Sequence, residues 1–171
     1  MTGQATNRAN ASHLLNAVKN GGIDFLAIYP DSELAATQRA GLEDPDIQCI
    51  PVASEANGVA TCAGAWLGGR QPALMMPTAG LTGASWPLTS LCLAKGIPVL
   101  LLIAFRGEVG DTPWYMGQYN LTTIPILDAL GIPIVAADEV DQLERTVRSA
   151  LASANAWQRP IAIMLSRRLF Q

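Results

Sequence analysis

Glu55 opens a run, Ser54 to Gly69, in which nearly every other residue is small or apolar. A carboxylate in the first turn of such a helix has two readings. The helix dipole favours a negative charge there, so Glu55 can be a simple stabilising charge. Held in a dry site, the same group can share a proton with a ligand. Other chemistry-bearing residues are spread along the chain. Asp31 and Ser32 in "YPDS" (29–32) can cap a helix or face a ligand. "PTAGLTG" (77–83) is a glycine-rich turn that suits close approach of a phosphate or a ring, yet it lacks the GxGxxG and GxxxxGK[ST] spacings. Arg106 and Glu108 in "RGE" read as a surface pair or as part of a site.

Several chemistries are excluded. Cys49, Cys62 and Cys92 are scattered, without a CxxC pair, and His13 is the sole histidine, expected to be exposed on the first helix. A zinc site is not expected, and buried reduced thiols are. A net charge of −3 and a pI near 5.0 give no basic footprint for nucleic acid. No apolar run approaches the ~18 residues of a membrane span, and "MTGQATNRAN" has no apolar signal core, so a cytoplasmic protein is expected. Only 15% of residues are charged and 50% are hydrophobic, against the ~25% charge usual for soluble domains. A chain this short of charge is expected to bury surface against a partner.

The elements that must position these residues alternate strand and helix. "ASHLLNAVKNGG" (11–22) reads as an amphipathic helix with Leu14, Leu15 and Val18 on one face and Gly21 as its stop. "FLAIY" (25–29), "IQCIPVA" (47–53), "ALMM" (73–76), residues 98–105, "IPIVAA" (132–137) and "PIAIML" (160–165) read as six strands. Between them lie helices opening at "PDSEL", with Asp31 or Ser32 as cap, and at Ser54, then near 84–95, near 122–130 and from about 139 to 155. The strands are continuously apolar rather than alternating, as in a parallel sheet covered on both faces. One α/β domain, doubly wound and mainly parallel, is predicted for residues 1–171. In such sheets function gathers beyond the carboxyl ends of the strands. The loops 29–32, 53–57, 77–83 and 105–114 should therefore converge. Ala56, Ala60, Ala63 and Gly64 give one side of the Glu55 helix a small face, open to packing on the sheet or against another subunit.

Together these segments resemble a known family. "ASEANGVATCAGAWLGGRQPALMMPTAGLTGASWPLTSL" and "GIPVLLLIAFRGEVGD", with "PDSEL" before them and "ILDALGIP" (126–133) after, keep the order and approximate spacing of the thiamine diphosphate-dependent sulfopyruvate and phosphonopyruvate decarboxylases. The likeness covers roughly residues 12 to 168. It departs where the family's Gln-Asn-Ser before Gly-Leu-Gly is Pro77-Thr78-Ala79, and where "GLTGA" replaces "GLGN". Gly110-Asp111 lacks the following glycine and the later Asn-Asn pair of the family's diphosphate-binding domain. The chain thus looks like the pyrimidine-binding domain alone, with the diphosphate and Mg2+ held by a beta subunit in an α2β2 or larger complex.

The resemblance implies that Glu55 pairs with the cofactor's aminopyrimidine and shares its proton, for which apolar walls are a suitable mounting. It implies that Pro30, Thr78, Ala79, Gly80 and Leu81 contact that ring. It further implies that Asp31 and Ser32 face the reacting carbons, with Asp31 handling a proton, and that Arg106 meets the anionic tail of a small 2-oxo acid substrate. Carboligation by the same cofactor, a non-catalytic supporting subunit and a flavodoxin-like nucleotide module are the alternatives.

Overall fold

The computed structural model describes residues 2–170, with side chains described from residue 10 to residue 170. Six strands form one sheet: β1 (Phe25–Ile28), β2 (Gln48–Pro51), β3 (Pro72–Pro77), β4 (Leu100–Ala104), β5 (Ile134–Ala137) and β6 (Ile161–Leu165). Their order is β2-β1-β3-β4-β6-β5, and every pairing is parallel. Six α-helices accompany them: α1 (Thr2–Asn20), α2 (Ala35–Glu43), α3 (Glu55–Leu67), α4 (Leu81–Pro87), α5 (Met116–Ala129) and α6 (Leu143–Trp157).

The apolar strands explain this double layering. Successive strand residues point to opposite faces, so an all-apolar strand must be covered twice. In β4, Leu100 and Leu102 join a core with Leu14, Leu15 and Val18 of α1 and Leu143 and Val147 of α6. Leu101 and Ile103 join the opposite core with Val59 and Cys62 of α3, Leu81 and Ala84 of α4 and Leu127 of α5. Each fully buried leucine contributes roughly 2 kcal/mol of burial. The pattern holds for the central strands, whereas β2 and β5 lie at the edges and keep partly exposed residues.

Boundaries differ from the expected ones where turn chemistry competes with apolar pattern. α1 begins well before residue 11 and stops at Gly21, as anticipated. The helix after β3 starts at Leu81, after one 3-10 turn, and continues past Pro87 as a π-helical segment (Leu88–Leu93), since the proline cannot donate the regular bond. α5 begins at Met116, six residues before its expected start near 122, so the long loop ends at Tyr115. His13 is exposed, as expected. No helix among the described residues is long and apolar enough to cross a membrane.

Candidate functional site

The chain reverses direction across the sheet between β1 and β3, because β1 leads outward to β2 and β2 returns to β3. A crevice beyond the carboxyl ends of strands is expected at such a switch point. The four loops do converge there.

Ser54 starts α3. It has extended backbone angles, and its hydroxyl accepts from the Asn57 N–H at 3.2 Å and donates to Asn57 Oδ1 at 2.9 Å. Such a cap is worth about 1 kcal/mol, and it fixes the first turn of α3 rigidly. Gly58 faces Leu74, where a Cβ would collide with the leucine side chain, so α3 can press close to β3. Glu55 is thereby mounted over the end of the sheet, half-buried. It lies against Gly80 across the crevice: a Cβ added there would overlap the Glu55 side chain. Among the described residues this carboxyl has no hydrogen-bond or ion-pair partner.

Other carboxylates on these loops are mostly engaged. Asp31 Oδ1 accepts the N–H groups of Glu33 (2.8 Å) and Leu34 (3.1 Å), closing the turn that leads into α2. Asp31 therefore acts as the local cap, although α2 itself starts only at Ala35. Pro30 and Ser32 are exposed, and both line a groove of about 440 Å³ with Asp31, Ile28 and Pro51.

Thr78 is buried and Gly80 and Leu81 are buried with it, while Ala79 is exposed. The Thr78 hydroxyl donates to the Ala104 carbonyl and accepts the Arg106 N–H at 3.0 Å, tying the end of β3 to the end of β4.

Arg106 does not form the surface pair with Glu108. It is buried, at 8% exposure, and Glu108 is exposed. The Arg106 guanidinium donates to both oxygens of Asp111, at 2.7 and 2.8 Å, and pairs with Glu33 at 3.0 Å. Asp111 and Glu33 were not singled out by sequence, though "RGEVGD" places Asp111 within reach around a glycine turn. The Arg106 bonds hold the Asp111 carboxyl at about 2, helped by the Gly107 N–H and the charge of Arg167 and opposed by burial.

Cys62 and Cys92 are buried and Cys49 is half-buried; burial pushes the Cys49 thiol up to about 11 and the Cys92 thiol to about 12, and raises Cys62 as well. No cluster of potential metal ligands exists among the described residues. The small face of α3 divides: Ala63 is buried against the sheet, whereas Ala60 and Gly64 are exposed.

The fold is shared with a solved 2-oxoglutarate:ferredoxin oxidoreductase from Magnetococcus marinus. That match has a TM-score of 0.70 and 16% identity, over 94% of this chain and 29% of the other. No family model matches the chain. Sequence relatives are more specific. The chain is 32% identical over 160 residues to "Sulfopyruvate decarboxylase subunit alpha" of Methanococcus maripaludis, covering 91% of this chain and 94% of the relative. It is 26% identical to the protein of the same name from Methanocaldococcus jannaschii, covering 88% and 89%. It is 28% identical to "Phosphonopyruvate decarboxylase" of Streptomyces viridochromogenes, covering 91% of this chain and 40% of that relative. The chain belongs to the family of the sulfopyruvate decarboxylase alpha subunits.

Proposed function

We infer that the chain is the alpha subunit of a thiamine diphosphate-dependent decarboxylase that turns a small anionic 2-oxo acid into an aldehyde and carbon dioxide. Family membership supports the reaction, and one local arrangement supports the cofactor. Glu55 is half-buried and unpaired, and the backbone of Gly80 lies so close against it that any side chain at position 80 would overlap the carboxyl. A carboxyl with no partner of its own fits the aminopyrimidine ring, which offers it a basic nitrogen and offers polar edges to the backbone of the Thr78–Leu81 turn.

When bound, thiamine diphosphate would supply a nucleophilic carbon and an electron sink for decarboxylation. The chain's own residues do the rest. Glu55 holds and shares the proton of the ring nitrogen. Pro30 and the Thr78–Leu81 turn form the wall along the ring, with Gly80 setting the approach. Asp31 and Ser32 face the substrate from the loop after β1, and Asp31 moves a proton at the reacting carbon. The diphosphate and its Mg2+ belong to a beta subunit, this chain being the pyrimidine-binding domain of a cytoplasmic α2β2 or larger complex. The words "subunit alpha" in the relatives' names support a partner subunit.

The test is carbon dioxide release by the chain reconstituted with its partner, given thiamine diphosphate, Mg2+ and either sulfopyruvate or phosphonopyruvate. Release from at least one of them supports the reading. An assembled complex that releases carbon dioxide from neither, nor from a panel of other 2-oxo acids, sinks it.

A further inference from the structure

Arg106 stands where three of the four loops meet. Its backbone N–H is bound by Thr78 at the end of β3, and its guanidinium grips Asp111 in its own loop and Glu33 in the loop after β1. Asp111 is almost completely buried, with 1% of its side chain exposed. Arg167 lies 4.0 Å from Glu33 and 3.7 Å from Asp111, so two cations face two carboxylates, and the charge of Asp31 also reaches Arg106. A guanidinium whose charge is already met twice is a weak attractor for a third anion, but a strong mechanical tie, because bidentate pairing fixes direction as well as distance.

Glu33 sits one residue beyond Ser32 and two beyond Asp31. The Asp31 carboxylate binds the N–H groups of Glu33 and Leu34, which makes residues 31–34 one compact turn. Holding Glu33 therefore holds the whole turn. We propose that Arg106 is a positioning residue, a clamp that sets the Asp31–Ser32 turn relative to the Thr78–Leu81 turn, rather than a contact for the substrate's anionic tail. The inference rests on the reading of these two turns as walls of the cofactor and substrate site.

The experiment uses the assembled complex and begins with Glu33→Gln, which keeps side-chain shape and removes the ion pair. Amide hydrogen exchange over residues 29–34 is expected to rise by about tenfold or more, with the melting temperature changed by no more than about 2 °C, since the opening is local. The turnover number should fall while KM changes little, because the turn is misplaced without losing a substrate contact. Arg106→Lys keeps the charge and loses the fork, so it should resemble Glu33→Gln. The two changes combined should cost no more turnover than the larger one alone. Unchanged exchange at 29–34 in Glu33→Gln overturns the clamp whatever the substrate proves to be, since exchange is read without turnover. A KM rise confined to Arg106→Lys, with losses that multiply in the double variant, overturns it in favour of a substrate contact.

Discussion

The Glu55 carboxyl and the Gly80 backbone are in direct apposition across the crevice, and only the missing side chain at position 80 permits it. Gly80→Ala puts a methyl group where that carboxyl now lies. The obstacle is the Glu55 side chain from Cγ to the carboxyl, which can rotate away about its own χ angles. Stability should fall by less than the 1–3 kcal/mol typical of an overpacked core. Decarboxylation should nonetheless fall by about tenfold or more, which is ~1.4 kcal/mol of barrier. Thermal melting and turnover measured on the same preparation check the pair of outcomes.

Acid should loosen the cluster around Arg106. The Asp111 carboxyl is held at about 2 in the folded chain, below its ordinary 3.8. A depressed carboxylate contributes stability above the ordinary value and loses it as pH falls through the folded one. The contribution, on the order of 2 kcal/mol, is thus complete above about pH 5 and disappears between about pH 4 and 2. Asp111→Asn should flatten the stability profile over that window and lower stability at neutral pH. Denaturant titrations between pH 2 and 7 test this, and parallel profiles for the two proteins would contradict it.

Thiol chemistry should be slow. Cys62 and Cys92 are buried with raised thiols, so both should resist alkylation by iodoacetamide at pH 7.5 in the native state, and half-buried Cys49 should react first. Mass spectrometry of partly alkylated protein gives the order.

On the proposed division, with the diphosphate and metal held by a beta subunit, the isolated chain should bind thiamine diphosphate weakly even with Mg2+. Calorimetry on the chain alone, then with its partner, separates the two. Tight magnesium-dependent binding by the chain alone would contradict the division of the site.

The layering was legible because β1, β3, β4 and β6 are apolar at every position, a pattern that only two-sided burial explains. The Ser54 cap was legible from its side-chain type, and Glu55 stood out as a carboxylate among small residues. What could not be seen was pairing across loops. Proximity in the chain points Arg106 to Glu108, whereas the turn at Gly107 carries Glu108 outward and brings Asp111 back to the guanidinium. Glu33 lies far away in sequence and meets Arg106 only once β1 and β4 share a sheet. The early start of α5 was hidden because Met116 to Leu121 lack a clear apolar stripe.

Glu55 carries the central claim, and hydrogen–deuterium exchange at C2 of the thiazolium ring in the assembled complex tests it without knowledge of the substrate. Glu55→Gln keeps the shape and a hydrogen bond but cannot share the proton. If Glu55 is only a helix-start charge, the change costs a few tenths to ~1 kcal/mol of stability and leaves exchange intact. If it activates the cofactor, exchange falls by about 100-fold or more, equivalent to ~2.7 kcal/mol of barrier, with folding and assembly little changed. The expected result is the 100-fold fall; exchange at the wild-type rate in a fully assembled glutamine variant would contradict it.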